Sequence, residues 1–467
     1  TCNADGTLTF DKVYETGVQP DMVTFASNDS KILTADEGEP RDGYGDGIID
    51  PKGTVTIINL ADQTVSQVDF TSYDNSDSRE QLVESGVILK KNTNPSVDFE
   101  PEYIAVGDKT AYVTLQEANA IAVIDLNQQS LTGVYSAGYE DYSTCAVDID
   151  KKDEAYKPAV YETLRGIRMP DGIATYHING VDYIVTANEG DSREWGEYLN
   201  EDERNFGKGE TSPTGKITAE NSGLTGKVVF FDSSDYDGLD SEFDYLFGGR
   251  SFTVFKADEQ GLTEIYTSGN EFEAKTAGYE PEHFNCSNDN NDIDDRSGKK
   301  GVEAENVTIG NVGEKIYAFI GLERIGGVMM YDVTNPEKIS YANYINSRDF
   351  SADIAGDDSP EGLCFISESE SVDGNAHLLT ACEVSGTVAS YELTARKTED
   401  QGNGQDSDNG QDSGEGQNSN NGQDSGQGAK SDAPKTGDMQ KTAGLFTAII
   451  LTLTVVFGIT KRRRYTL

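Results

Sequence analysis

Carboxylates recur along this chain at the ends of short apolar runs. Asp21 opens one run and Glu37 closes the next, 16 residues later. Glu102 and Glu117, Asp171 and Glu189, Glu305 and Glu323, and Glu361 and Glu383 repeat the pair at spacings of 15, 18, 18 and 22 residues. Acids at equivalent places in a repeat crowd one mouth when the repeats surround a common axis. Crowded carboxylates raise one another's pKa unless cations or basic side chains compensate. The chemistry on offer is the binding of a metal ion or a cationic ligand. The competing reading gives each acid a local task, capping backbone amides between repeats. Arg193, Arg250 and Arg324 stand beside acids or at the head of an apolar run. With Glu189 and Glu323 they are the candidates for any catalysis, since phosphate chemistry needs clustered cations and basic side chains.

Two further stretches resemble calcium loops in their spacing. Asp235, Asp237, Asp240 and Asp244 alternate around Gly238, and Asp42, Asp46 and Asp50 are interleaved with Gly43, Gly45 and Gly47. Carboxylates with glycine at the sharp turn suit Ca²⁺ far better than zinc. The run from Asp289 to Asp295 either binds a cation or is a solvated acidic loop. Zinc chemistry has little to draw on: there are only 3 histidines, and no HExxH, CxxC, GxSxG or phosphate-binding glycine loop.

The elements that must position these acids read as strands. The apolar pieces are 4–8 residues long, rich in β-branched and aromatic side chains, and bounded by turn residues. Five copies of the pattern predict an all-β fold, a β-propeller with about five blades visible here. The alternative is a β-sandwich with accidental similarity. Fourth strands are expected at 64–70 and 130–135. In the third copy the third strand is either 228–231 or, after a longer insertion, 251–255. Residues 7–15 are expected to be the outer strand of a blade that begins upstream. Closure at about seven blades would leave about two upstream of this sequence. In such a blade the loop entering it and the loop between its second and third strands share one rim. The long segments 38–52, 71–100, 137–169, 190–226, 268–303 and 346–359 fall there, on the side of the acids. Binding sites gather on long loops carried by a rigid frame.

Across 467 residues, 83 acids against 37 bases give a net charge of −46. That excludes a nucleic-acid binder and a protein docking on anionic lipid. The charge permits metal ions and cationic partners. The 5 cysteines include Cys364 and Cys382, which either pair across a hairpin or are two small buried thiols.

The end of the chain has its own organisation. Residues 1–396 carry the repeats. Residues 397–432 hold no large apolar side chain and repeat Asn-Gly-Gln-Asp-Ser, the composition of a disordered spacer. Within 433–467, residues 443–460 form an uncharged apolar stretch, expected to be one membrane helix, followed by Lys461, Arg462, Arg463 and Arg464. The preceding segment 433–437 reads Ala-Pro-Lys-Thr-Gly. Pro-x-Thr-Gly, an apolar span and a basic stop resemble the cell-wall sorting signal of Gram-positive surface proteins, of the LPXTG type with Ala433 in place of Leu. The resemblance implies that a sortase cuts between Thr436 and Gly437 and joins Thr436 to peptidoglycan. The chain would touch the membrane only through 443–460, before processing, and would end on the cell surface, covalently bound to the wall. Export requires a signal peptide, and the sequence opens on Thr1-Cys2-Asn3. It is therefore read as lacking its native start.

Several phrases recur together: PDMVTF with ADEGEPRDGYGDG, EPEYIAV with AYVTLQEANAIAVIDL, MPDGIATY with YIVTANEGDSREW, EHFNCSNDN with DDRSGKKG, and YAFIGLERIGGVMMYDV with PEGLCFI and CEVSGTVASYEL. They resemble the choice-of-anchor I family, also labelled mesenchyme-specific cell-surface glycoprotein-like, over about residues 5–394. The resemblance implies an exported domain with an anchor. Two functions follow as expectations. One is a wall-displayed scaffold, calcium-stabilised, binding an extracellular ligand that the sequence does not name. The other is a secreted calcium-dependent phosphoric ester hydrolase of the alkaline phosphatase or phytase kind, using the acidic mouth.

Overall fold

A computed structural model describes residues 3, 6–45, 47–258 and 261–395. The spacer, the sorting motif with Thr436 and Gly437, and the apolar span lie outside the described residues. What is described is mostly β, with about 9% helix. No helix among the described residues is long and apolar enough to cross a membrane.

Five antiparallel sheets follow one another along the chain, each a simple meander. The first comprises Pro20–Ala26, Lys31–Asp36, Thr54–Asn59 and Val65–Asp69; the second Pro101–Val106, Thr110–Leu115, Ala120–Asp125 and Ser130–Ser136. The third comprises Ile173–Ile178, Val181–Asn188, Ser251–Asp258 and Gly261–Thr267; the fourth Ala304–Val312, Lys315–Leu322, Val328–Asp332 and Ser340–Ile345. The fifth has three strands, Pro360–Ile366, Ala376–Cys382 and Thr387–Leu393. Local chemistry sets the register. Ile178 pairs with Val181 across Asn179 and Gly180, both with positive φ (53° and 85°). That is the two-residue turn whose twist matches the strands it joins.

The sheets stack face to face because successive side chains of a strand point to opposite sides. Val113 joins the core shared with the first sheet, and its neighbour Tyr112 joins the core shared with the third. Ile184 meets the second sheet while Val185 meets the fourth. Ile320 faces the third and Phe319 the fifth. The second, third and fourth sheets are thus buried on both faces, which is why their strands read as near-continuous apolar runs. Each buried aliphatic or aromatic side chain contributes roughly 1.5–3 kcal/mol by leaving water.

The first strands of the sheets adjoin one another in chain order. The amide of Ile104 lies 3.0 Å from the thioether of Met22, Thr175 donates to the Val106 carbonyl (2.8 Å), and Gly172 donates to the Glu305 carbonyl (3.0 Å). A Cβ on Gly172 would stand 2.6 Å from the Asn306 Cα, so glycine permits this closeness. Sheet order and sheet contact together bring the heads of the first strands to one place.

The third sheet decides between the two readings of its third strand. Ser251–Asp258 pairs with Val181–Asn188, whereas Lys227–Phe231 pairs with Glu201–Asn205 inside the insertion. The insertion leaves and rejoins the sheet at Gly190 and Gly248, whose backbones are so close that a Cβ on Gly190 would meet the Gly248 nitrogen at 2.1 Å. Its apolar side chains pack with those of the 137–169 segment and Ile88 in clusters around Phe230 and Phe247. Residues 7–15 form no strand; Phe10 and Val13 are exposed instead of packing on the first sheet. Short helices in the long segments, Ser76–Glu84 and Glu271–Tyr279, were not expected. Cys364 stands opposite Leu379 and Cys382 opposite Pro360. The two thiols are out of register, and both are free.

Arg250 is held within the long segments, and none of its hydrogen bonds goes to the ten repeated acids. It is 2% exposed and holds left-handed backbone (φ 54°). Its guanidinium donates to Glu273 and to the Asp148, Ser297 and Lys299 carbonyls at 2.7–3.0 Å. It clamps the 137–169 and 268–303 segments to the third sheet. Replacing it by alanine would leave Glu273 as a buried, uncompensated charge. Arg250→Ala is expected to cost about 3–5 kcal/mol in urea denaturation; a loss below about 1 kcal/mol would contradict the clamp.

Candidate functional site

The heads of the first strands and the ends of the second strands carry the ten repeated acids, and the structure brings them into one connected cluster. Carboxylate oxygens of Asp171, Glu189 and Glu305 lie within 4.8 Å of one another, as do those of Glu323, Glu361 and Glu383. Glu361 acts electrostatically on Glu305, joining the two groups. Glu102 feels Glu117, Asp171, Glu37 and Asp21 in that order. The Tyr103 phenol lies in the field of Asp171, Asp21, Glu361 and Glu305. Five sheets therefore contribute to a single acidic site.

The reason is geometric. An acid at the head of a first strand, or just after a second one, sits at the same end of its meander, and adjoining first strands bring those ends together. The acids are mostly buried: Glu102 is 5% and Glu305 8% exposed. Oε2 of each accepts no hydrogen bond. After burial itself, the strongest influences on Glu102, Asp171 and Glu305 are all other acids. Their carboxyls are held well above the ordinary range. Burial also pushes Glu189 up, to about 7, with Lys300 opposing and Asp191 and Glu303 adding to the rise.

Basic side chains enter on one side. Lys300 lies 2.8 Å from Glu189 and 3.0 Å from Glu303. Arg324 reaches Glu303 at 2.8 Å and Glu323 at 3.2 Å, and donates to Asn288. Arg296 also pairs with Glu303. With three cations around it, Glu303 is held well below the ordinary glutamate range against the cost of its burial. Gln116 donates to Glu189 (2.8 Å) and Gln19 to Glu37 (2.6 Å). Glu303, Lys300, Arg296, Asn288, Gln116 and Gln19 escaped the sequence reading because none sits at the repeated position. The one available signal was Glu303, two residues before Glu305.

Arg193 lies at the margin. It pairs with Asp98 (2.6 Å), approaches Glu100 (3.8 Å) and donates to the Tyr44 hydroxyl. The suggested calcium loops do not assemble in the same way. Asp235 pairs with Lys90, Asp237 with Arg79, Asp240 caps the Glu242 amide, and Asp244 takes both hydrogen bonds of Thr214. No three-carboxylate group among the described residues draws on them. Asp42 is exposed, Asp46 lies outside the described residues, and burial pushes the half-buried Asp50 up to about 6 despite Arg193 nearby. A separate trio, Asp148, Asp153 and Asp294, has oxygens within 4.8 Å of one another. There Asp148 and Asp294 accept loop amides from Lys157 and Ala155, a stitching of loops.

The choice-of-anchor I domain model matches residues 1–336. The chain belongs to the choice-of-anchor I family. Membership points to a surface-associated protein. A mesenchyme-specific cell surface glycoprotein of Strongylocentrotus purpuratus is 27% identical over 315 residues, covering 58% of this chain and 40% of that one. Gigasin-3a of Magallana gigas is 34% identical over 92 residues, 19% of this chain and 32% of its own. The choice-of-anchor I chain thus spans two fifths or less of the length of these relatives. The nidogen/laminin complex aligns over 79% of this chain and 74% of that one at 8% identity. The TM-score of that alignment is 0.31.

The acids set the pH dependence. A carboxyl raised on folding holds its proton in the folded state, so its contribution is full below the ordinary value of 4.5 and is lost as pH rises through about 7, the Glu189 case. Glu303 runs the other way and withdraws stability only as pH falls below 4.5. In chelator-treated buffer the melting temperature is expected to rise between about pH 8 and about pH 5. A flat or falling profile over that range, followed by calorimetry, would contradict the crowded cluster.

Proposed function

We propose that this protein is a wall-anchored surface domain, a β-propeller whose acidic mouth binds a cationic extracellular ligand and whose fold is stabilised by Ca²⁺. The carrying observation is the convergence of ten carboxylates from five sheets, with the buried Glu102 and Glu305 each keeping an oxygen that accepts no hydrogen bond. The propeller reading is supported by five meanders in series whose first strands adjoin in order. Excess buried negative charge favours a partner that brings positive charge, and complementarity of this kind steers encounter and sets specificity. Anchoring rests on the sorting motif: sortase would join Thr436 to peptidoglycan, with the spacer carrying the domain clear of the wall.

The alternative phosphoester hydrolase needs basic groups facing a bound phosphate. Arg250 is engaged by Glu273 and three backbone carbonyls, Arg193 by Asp98, and Lys300 and Arg324 by carboxylates of the mouth. The binding reading is favoured on that ground.

Gram-positive cells expressing the full chain behind a signal peptide are expected to release it on muramidase digestion but not with detergent alone. Thr436→Ala should move it to the detergent-soluble fraction. Detergent release of the unaltered protein would contradict wall attachment. The mouth is tested separately with an oligolysine peptide. Glu361→Gln with Glu383→Gln should weaken its binding about tenfold or more, and unchanged affinity would remove the mouth as the ligand site.

A further inference from the structure

We infer that Asp171, Glu189 and Glu305 form the binding site of one hard divalent cation, Ca²⁺, where the third and fourth sheets meet. The inference deepens the acidic-mouth reading above by naming what occupies its innermost part. Three carboxylates from two sheets place oxygens within 4.8 Å of one another. That is the span bridged by an ion with metal–oxygen distances of about 2.4 Å. Glu305 is 8% exposed, and its Oε2 accepts no hydrogen bond. An ionised oxygen in that state costs several kcal/mol unless a charge meets it. No lysine or arginine ranks among the strongest influences on Glu305 or Asp171.

The ligand set is built on rigid backbone. The Gly172 amide donates to the Glu305 carbonyl, and Asp171 donates to the Ala187 carbonyl while Ala187 donates back to Gly172. Asp171 and Glu305 therefore flank a contact that glycine alone permits. Glu189 follows the second strand of the third sheet directly and is oriented by Gln116 from the second sheet. All three donors are carboxylate oxygens, the set that hard cations take and zinc does not prefer. Three carboxylates supply three to six of the six to eight oxygens Ca²⁺ uses. The rest of the shell is open to water or to an oxygen of the extracellular ligand. Lys300 stands 2.8 Å from Glu189 and competes with the ion for its charge.

Tyr103 supplies the readout. Its phenol is in the field of Asp171 and Glu305, so a Tb³⁺ ion bound there accepts energy from excited tyrosine. The full chain, stripped with chelator, should give sensitised Tb³⁺ emission that Ca²⁺ displaces. Glu305→Gln, close to isosteric, should weaken binding on the order of tenfold or more. Tyr103→Phe should dim the emission while Ca²⁺ binding by calorimetry persists. Lys300→Met should lower the melting temperature of the ion-free protein yet tighten Ca²⁺ binding, an outcome that simple unfolding does not produce. Equal Tb³⁺ affinity in the unaltered and Glu305→Gln proteins would overturn the site, as would weaker Ca²⁺ binding in a folded Lys300→Met. Loss of the ion site with oligolysine binding intact would refute this inference alone. Loss of oligolysine binding dependence on Glu361 and Glu383, with the Tb³⁺ results as expected, would refute the ligand reading alone.

Discussion

Buried like charge is the constraint on which the molecule turns. Carboxylates from five sheets are driven to one place by strand packing, and water that would screen them is largely excluded. Lys300, Arg324 and Arg296 neutralise one side, gathered on Glu303. The side formed by Glu102, Asp171 and Glu305 has no comparable basic neighbour among its strongest influences. Such a site is stable only if it holds protons or recruits cations, and both outcomes tie stability to the medium. A protein on the outside of a cell meets divalent ions continuously.

The frame that imposes this constraint is assembled from weak, repeated effects. Alternation along each strand splits its side chains between two neighbouring cores, as with Phe319 and Ile320. Every middle sheet is thereby held on both faces. Glycine at 172 lets two first strands touch, and the buried Arg250 ties the long segments to the third sheet. Packing energy from the faces is what pays for crowding acids at the mouth. The charge at the site and the apolar runs of the strands are two sides of one arrangement.

Much of this was legible in the sequence. Strand length, β-branched composition and the regular acid spacing were enough to number the sheets and to select the ten acids that meet. What was hidden came from the long segments, where no periodicity restricts the chain. Lys300 and Glu303 lie just upstream of the fourth sheet, and only the tertiary fold turns them toward Glu189. The acids around Gly238 show the opposite failure. Their spacing imitates an ion loop, but Lys90, Arg79 and Thr214 arrive from distant positions and claim them one at a time. Arg250 stands at the head of an apolar run, as the sequence suggests, but its side chain is taken up by Glu273 and three carbonyls. Spacing identifies donors, and only packing decides whether they share an acceptor.

Crowded carboxyls whose pKa is raised by burial and by one another must ionise to take up a metal ion. Titration calorimetry of the full chain with Ca²⁺, repeated near neutral pH in buffers of different ionisation enthalpy, measures this directly. Ion binding should expel protons, because ligands with raised pKa must ionise to bind. The apparent heat should therefore change with the buffer, and the released protons should diminish as the pH is raised. Heat independent of the buffer, or no saturable binding, would contradict the account.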